Sequence, residues 1–286
     1  MNRCPETDVS VLSSMPTFAG LSLDRPLILG VVNVTPDSFS DGGNTPDAER
    51  AIAHARALAR DGADILDIGG ESTRPGAEPV SLDEELERVI PVIEALVGQG
   101  LCVSVDTRHA PVMAAAIAAG ATIINDVSAL QGDSQSLGVV ASSNASVVLM
   151  HMRGAPQDMQ DGPVYGDVVS EVRDYLSDRI TACLDAGIAM TRIAIDPGIG
   201  FGKTLEHNLV LLRNLDAFSS LGCPLVLGVS RKSFIGHLSG QDVAARRLAG
   251  SLAAGLSGVA RGAAILRVHD VAETRQALDV WQAIEK

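Results

Sequence analysis

Residues 27–68 read LILGVVNVTPDSFSDGGNTPDAERAIAHARALARDGADILDI, and this one stretch holds a whole unit of the fold. Leu27 to Val32 is apolar throughout and stops at Asn33. A polar loop follows, through Thr35, Pro36, Asp37, Ser38, Phe39, Ser40, Asp41 and two glycines. A helical stretch over 46–61 then ends at Gly62, where a helix C-cap favours glycine. A second apolar run, Ile65–Ile68, comes next. Strands that are apolar throughout, rather than alternating, suit a parallel sheet covered on both faces. An apolar strand that ends in an amide and opens into a polar, glycine-terminated loop is a scaffold presenting chemistry. Phe39 sits in the middle of that loop, where its ring gains nothing unless something packs against it.

The same alternation continues to the end of the chain. Further apolar runs are Leu101–Val105, Thr122–Ile124, Ser146–Met150, Arg192–Ile195, Pro224–Val229 and Ala263–Val268. Between them lie helical stretches at 82–98, 110–119, 134–143, 166–187, 205–217, 242–260 and 271–285, several ending at a glycine (Gly100, Gly120, Gly187). Eight β-then-α units predict an α/β protein with a closed (β/α)8 TIM barrel rather than an open doubly wound sheet. Residues 17–24 predict a short strand or hairpin across the bottom of that barrel. Met1 to Met15 is polar and aperiodic, which predicts a disordered leader over 1–16 and a single domain over 17–286.

Composition narrows the class of partner. The 286 residues are 46% hydrophobic but only 3% aromatic, so the core is built from Ala, Val, Ile and Leu. A formal net charge of −13 argues against a nucleic-acid or anionic-membrane partner, both of which need a basic footprint. An anionic substrate must instead meet a local basic pocket. Cys4, Cys102, Cys183 and Cys223 form no CxxC pair and predict buried free thiols in a reducing cytosol. No secretory signal pattern and no apolar run of spanning length is present, so a cytoplasmic protein without a membrane partner is expected.

The residues that end the eight apolar runs test the barrel. They are Asn33, Asp67 then Glu71, Asp106, Asn125 with Asp126, His151, Asp196, Ser230 to Lys232, and Arg267 with His269. In a barrel all eight strand C-termini surround one mouth, where such enzymes place their sites. Any one of these residues could be a helix cap or turn former; their shared location is the signal. Arg267, His269 and the Ser230-Arg231-Lys232-Ser233 segment follow the last two runs, where barrels bind phosphate. Asp106 and Asp196, as isolated acids, suit the N–H donors of a ring or a cation that develops during reaction. With Asn125 they make the acceptor-rich floor that a nitrogen heterocycle with an amidine-like edge requires.

Two tempting motifs fail. Gly198-Ile-Gly-Phe-Gly-Lys-Thr has Pro197 where a P-loop needs its first glycine, and Lys203 where a dinucleotide fingerprint needs its third. Its glycines predict a mobile loop that lets Phe201 approach a ligand. His151 has no partner at metal-ligand spacing and is expected to be structural or to stand behind the residues that touch a ligand.

At this point the motifs GVVNVTPDSFSDGG, DILDIGGESTRPGAEPV, VSVDT, INDVSAL, VLMHMRG, IDPGIGFGK, VSRKSFIG and LRVHDV together resemble those of the dihydropteroate synthases, pterin-binding barrels of folate biosynthesis. The resemblance runs from about Leu27 to Ala283. It implies a transferase that joins 6-hydroxymethyl-7,8-dihydropterin diphosphate to 4-aminobenzoate and releases pyrophosphate. It implies Asn33 as a ligand of Mg²⁺ beside the diphosphate, and Thr73, Arg74, Arg267 and His269 as diphosphate ligands. Asp106, Asn125, Asp196 and Lys232 resemble the pterin-recognising set, with Met150 as an apolar wall. Phe39, Pro75, Phe201 and Ser233 resemble the residues around 4-aminobenzoate, and Asp41 the loop acid near the pterin methylene. Asp106, Asp41, Lys232 and Arg267 are the implied catalytic residues.

The same resemblance implies a pterin methylene cation formed by loss of diphosphate, loops after the first two strands that close against water, and competitive inhibition by sulfonamides. It further implies a homodimer through the late barrel helices; the Ala/Gly-rich AARRLAGSLAAGLSGVA within 242–260 would allow close packing, as ordinary barrel packing would too. Two other readings are open. A pterin-dependent methyltransferase barrel would need a corrinoid partner domain, and a non-catalytic pterin-binding barrel would gain from loss of Asn33, Lys232, Arg267 or His269, all of which are present.

Overall fold

A strand that is apolar on both faces must be covered on both. The computed structural model, which describes residues 16–34, 46–71, 80–154 and 162–285, does this by closing a parallel sheet on itself within a ring of helices. A two-stranded antiparallel hairpin comes first, Thr17–Phe18 (β1) with Leu21–Ser22 (β2). The barrel strands follow: Leu27–Asn33 (β3), Ile65–Gly69 (β4), Val103–Asp106 (β5), Ile123–Asp126 (β6), Ser146–Met150 (β7), Ile193–Asp196 (β8), Leu225–Gly228 (β9) and Ala263–Val268 (β10). Each pairs in parallel with the next, and β10 returns to β3 with Ile265 opposite Leu27. The (β/α)8 barrel is therefore as expected.

The helices are Pro46–Arg60 (α1), Leu82–Val97 (α2), Ala110–Ala118 (α3), Ser136–Ala141 (α4), Val168–Asp185 (α5), Leu205–Arg213 (α6), Ser233–Ser239 (α7), Leu248–Val259 (α8) and Val271–Glu285 (α9). Side-chain caps start several: Ser81 accepts from Glu84 N, Asp167 from Val169 N, and Thr204 makes a capping box with His207. Helix α7 was not expected from the sequence; it is a short helix ended by Gly240 in the left-handed conformation, φ +68°. The stretch predicted at 242–260 is a 3₁₀ turn at Ala244–Arg246 followed by α8.

Five strands run one or two residues past their apolar runs, to Asn33, Gly69, Asp106, Asp126 and Asp196. Ladder hydrogen bonds use the backbone, so a polar side chain does not end a strand. It ends the dry part of the barrel instead. Below it the interior is filled by Leu27, Leu29, Ile65, Ile123, Val148, Ala194, Val226 and Ile265. Phe18, fully buried, packs against that layer from the hairpin and closes the bottom.

Pro16, expected in a disordered leader, belongs to this plug, since its carbonyl accepts from Leu23 N at 2.9 Å. The rest of the expected leader, 1–15, lies outside the described residues. Asp64, just before β4, accepts from Arg25 at 2.6 Å, Arg275 at 2.7 Å and Ile28 N at 2.8 Å. Burial works against its charge, but these donors hold its carboxyl below the usual carboxylate range. It thus ties the segment before β3 and the last helix to one point.

The glycines of α8 serve the barrel's own packing. A Cβ on Gly258 would lie 2.1 Å from Leu227 Cδ2, and one on Gly250 2.3 Å from Ile235 Cγ2. The thiols differ from expectation: Cys183 is buried, but Cys102 and Cys223 are half-buried, and all three are free. Cys4 lies outside the described residues. No described helix is long and apolar enough to cross a membrane.

Candidate active site at the barrel mouth

Side chains alternate along a strand, so the residues two and four positions beyond each buried core residue also face the barrel axis. Counting from Leu29, Ile65, Ile123, Val148, Ala194, Val226 and Ile265 gives Asn33, Asp67 with Gly69, Asn125, Met150, Asp196, Gly228, and Arg267 with His269. The register lines up Asn33, Gly69, Asp106 and Asn125 across four neighbouring strands. Met150 stands opposite Asp196, and Arg267 opposite Gly228. A polar layer thus sits directly on the dry one.

Arg267 organises this layer. Its Nε donates to Asp67 Oδ2 at 2.7 Å and one terminal nitrogen to Asp106 Oδ2 at 2.6 Å. Asn125 Nδ2 donates to the same Asp67 oxygen at 3.0 Å. Asp67 is fully buried, and its Oδ1 has no hydrogen-bond partner among the described residues. The expectation of isolated acids is corrected here: Asp106 shares one guanidinium with Asp67. Burial pushes the Asp106 carboxyl up to about 7; Arg267 opposes the shift and Asp67 adds to it. For Arg267 burial disfavours the charge, yet the surrounding carboxylates outweigh it and raise its pKa. Two of its five N–H donors are used in these ion pairs, which leaves donors for an incoming anion.

The opposite wall carries Asp196 and Lys232, close enough for each to feel the other's charge. Asp196 Oδ1 accepts from Gly198 N at 2.7 Å, and burial raises its pKa against the pull of Lys232. Burial lowers Lys232 to about 8, opposed by Asp196. Its ammonium donates to the Ile199 carbonyl and lies 4.7 Å from the centre of the Phe201 ring. A Cβ on Gly228 would lie 3.7 Å from Lys232 Nζ, 3.8 Å from Arg267 Cβ and 3.9 Å from Asp196 Oδ2. Glycine keeps open the space where these three converge.

The 198–204 segment is not the mobile loop its glycines suggested. Gly198, Gly200 and Gly202 all have positive φ. A Cβ on Gly198 would fall 1.9 Å from the His151 carbonyl oxygen, and one on Gly202 2.2 Å from that of Arg153. Backbone is packed on backbone. Lys203, 2% exposed, then donates to the carbonyls of Phe201 at 3.0 Å and His151 at 3.3 Å and meets His151 Nδ1 at 2.9 Å. Burial and the neighbouring Lys203 push the His151 imidazole down to about 3. His151 is thus held by Lys203 beneath the 198–204 segment.

His269 shares a hydrogen bond with the Ser230 hydroxyl through Nδ1, 3.1 Å, at the ends of the last two strands. Ser233 is exposed at the first position of α7, beside Lys232. Arg231 does not join the basic group; its guanidinium pairs with Asp270. Phe39, Asp41, Thr73, Arg74 and Pro75, and with them the loops expected to close, lie outside the described residues. Asp67 and Lys203 were assigned no role from the sequence. Asp67 was legible as a lone acid inside ILDI, two residues after a core isoleucine. Lys203 was hidden inside a motif resembling a phosphate loop.

The donors that an Mg²⁺ ion would meet here are few. Asn33 Oδ1 and Asp106 Oδ2 each lie 3.9 Å from the space above Gly69. Among the described residues no three His, Cys, Asp or Glu side chains gather as a cage. A neutral amide oxygen at the rim suits Mg²⁺, which keeps several waters and takes phosphate oxygens.

Known proteins resemble this chain over nearly its whole length. A family model described as pterin binding enzyme matches residues 29–269. Dihydropteroate synthase of Neisseria meningitidis serogroup C is 51% identical over 267 residues, which cover 92% of this chain and 94% of that protein. The structure of Xanthomonas albilineans dihydropteroate synthase with 4-aminobenzoic acid has 55% identity and a TM-score of 0.88, over 93% of this chain and 95% of the other. The same enzyme in complex with 7,8-dihydropteroate gives 52% identity and a TM-score of 0.85, over the same shares, 93% and 95%.

Proposed function

The chain belongs to the dihydropteroate synthase family of pterin-binding enzymes, and from that premise we infer how its own residues carry out the reaction. It is a transferase of folate biosynthesis, which condenses 6-hydroxymethyl-7,8-dihydropterin diphosphate with 4-aminobenzoate to 7,8-dihydropteroate and pyrophosphate. The pterin lies against Met150, with its ring N–H groups on Asp106, Asn125 and Asp196 and its acceptor edge on Lys232. The diphosphate takes the remaining donors of Arg267, then His269, Thr73 and Arg74. The single observation that most supports this division is Arg267, a cation with spare donors held between two acids at the centre of the mouth.

The chemistry follows from that charge pattern. The bond from the pterin methylene to the diphosphate oxygen breaks first, and its electron pair leaves with the phosphate. The ring nitrogens delocalise the methylene cation, which the Asp106 and Asp41 carboxylates stabilise electrostatically. Arg267 and His269 stabilise the leaving group. A magnesium ion held by Asn33, the diphosphate and water would neutralise further charge there. The lone pair of 4-aminobenzoate, enclosed by Phe39, Pro75, Phe201 and Ser233, forms the new carbon–nitrogen bond, and the amine loses a proton to solvent. No strong base is needed.

Pyrophosphate release measured with and without 4-aminobenzoate tests this order. A cation-first path predicts release, or exchange of labelled pyrophosphate, without the amine; strict dependence on the amine would mean direct displacement. In the same assay a sulfonamide should raise the apparent KM for 4-aminobenzoate and leave kcat unchanged.

Two copies of the chain are proposed to associate through the late helices. In support, α9 exposes Val280 (57%) and Ile284 (75%) one turn apart on an otherwise amphipathic helix. Sedimentation equilibrium should give twice the chain mass, and a monomer mass would refute the pairing. A cytoplasmic, reducing location suits the free thiols, and cell fractionation checks it.

A further inference from the structure

Arg231 is a non-glycine residue in the left-handed region, φ +60°, between Ser230 and Lys232. That conformation carries a steric cost that glycine would not incur. Its backbone and one edge of its guanidinium are both held. Its N–H donates to Ser251 Oγ at 2.8 Å, and its carbonyl accepts from Arg247 at 2.9 Å, both at the start of α8. Arg247 in turn reaches the carbonyls of Gln241 at 2.8 Å and Asp242 at 2.7 Å. The Arg231 guanidinium crosses to the loop after β10 and pairs with Asp270 through two hydrogen bonds, one of them Nε to Oδ2 at 2.9 Å.

The positions of these residues in the chain matter. Ser230 Oγ accepts from His269 N at 3.2 Å and shares a bond with His269 Nδ1 at 3.1 Å. Two rungs, Ser230–His269 and Arg231–Asp270, therefore join the loop after β9 to the loop after β10. The left-handed turn at Arg231 sends Lys232 on toward Asp196, while Asp270 lies outside the barrel wall near Ser251, Thr274 and Ala277. The Asp270 carbonyl also accepts from Thr274 N at 3.1 Å, which fixes it to the first turn of α9.

We propose that Arg231 and Asp270 are positioning residues: their ion pair is a strut that sets Lys232 and His269 in register with each other, and Arg231 touches no substrate. The proposal rests on the assignment of Lys232 to the pterin and His269 to the diphosphate. It also accounts for an arginine at a position whose backbone suits glycine. The side chain is kept for the strut despite the backbone cost.

The test compares Arg231→Gly, Asp270→Asn and the double variant in the full chain, with Lys232→Ala and His269→Ala as references. Arg231→Gly removes the strut and relieves the backbone, so Tm should hold or rise. KM for the dihydropterin diphosphate should nevertheless increase by about tenfold, a coupling usual within one hydrogen-bond network. Asp270→Asn should raise KM by a similar factor, and the double variant no further than either single change. If Arg231 instead bound the diphosphate itself, Asp270→Asn would free it and leave KM unchanged or lower, which would overturn the strut. A fall in Tm with KM unmoved would mean a merely structural pair and would overturn it too. KM raised in Lys232→Ala and His269→Ala but not in the strut variants defeats the strut alone. KM unmoved in those two references defeats the site assignment, and the strut with it.

Discussion

Arg267→Met is expected to lower kcat/KM by about a thousandfold and to destabilise the barrel by about 3–5 kcal/mol. The two losses have separate origins. Stability falls because Asp67, fully buried, and Asp106, 8% exposed, would be left as facing carboxylates with no cation between them. Breaking a buried ion pair from one side costs that much because the stranded charge keeps its desolvation penalty. Activity should fall because, in the division of the site proposed above, the same guanidinium supplies donors to the leaving diphosphate. A second change separates them: adding Asp67→Asn should restore much of the stability and none of the turnover. Arg267→Lys should also fail, since one ammonium cannot reproduce the planar fork that reaches both acids. Denaturant melts and steady-state kinetics on the three variants decide the matter; turnover near wild type in Arg267→Met would remove Arg267 from the mechanism.

Gly198→Ala carries the second large effect. The added carbon would sit 1.9 Å from the His151 carbonyl oxygen, on a residue with φ +68°. Neither partner is a flexible side-chain end, so the whole segment must shift. Three site contacts move with it: Gly198 N on Asp196, the Ile199 carbonyl on Lys232, and Lys203 on the backbone of Phe201. Stability should drop by about 3 kcal/mol, at the upper end for a point change. KM for the pterin substrate should rise by about a hundredfold, the scale of a misplaced binding group. Gly187→Ala is the control: its φ is also positive, +88°, but nothing lies within 4 Å of the new carbon. It should cost only about 1 kcal/mol and leave KM alone. Equal KM effects in the two variants would show that backbone strain, and not the collision, is responsible.

The barrel and its mouth were legible because they depend on local pattern. Eight apolar runs separated by helical stretches admit few closed architectures, and a polar residue at the end of each run marks the same rim. Pairing was not legible. Nothing near Arg267 in the chain announces Asp67, two hundred residues away, so acids that read as isolated are coupled in the fold. Arg231 and Lys232 look alike in sequence, and one positive φ sends the first outward and the second inward. The glycines of 198–202 signal unusual backbone in either case. Whether that backbone is free or clamped depends on the His151 and Arg153 carbonyls, contributed by a different strand end. Helix α7 was missed because seven residues holding a glycine are too few for a periodic pattern.

The closure of β10 on β3, and the grip of Arg25 and Arg275 on Asp64, have a consequence for synthesis. The first barrel strand waits for the last one before its second edge is covered. At about 5–20 residues per second, a ribosome needs roughly ten to fifty seconds to make the chain between them. Through that interval the nascent polypeptide displays an open, apolar strand edge, the surface most prone to join a neighbour. The order in which this chain is made therefore leaves its first barrel strand, β3, with one edge uncovered until synthesis is nearly complete.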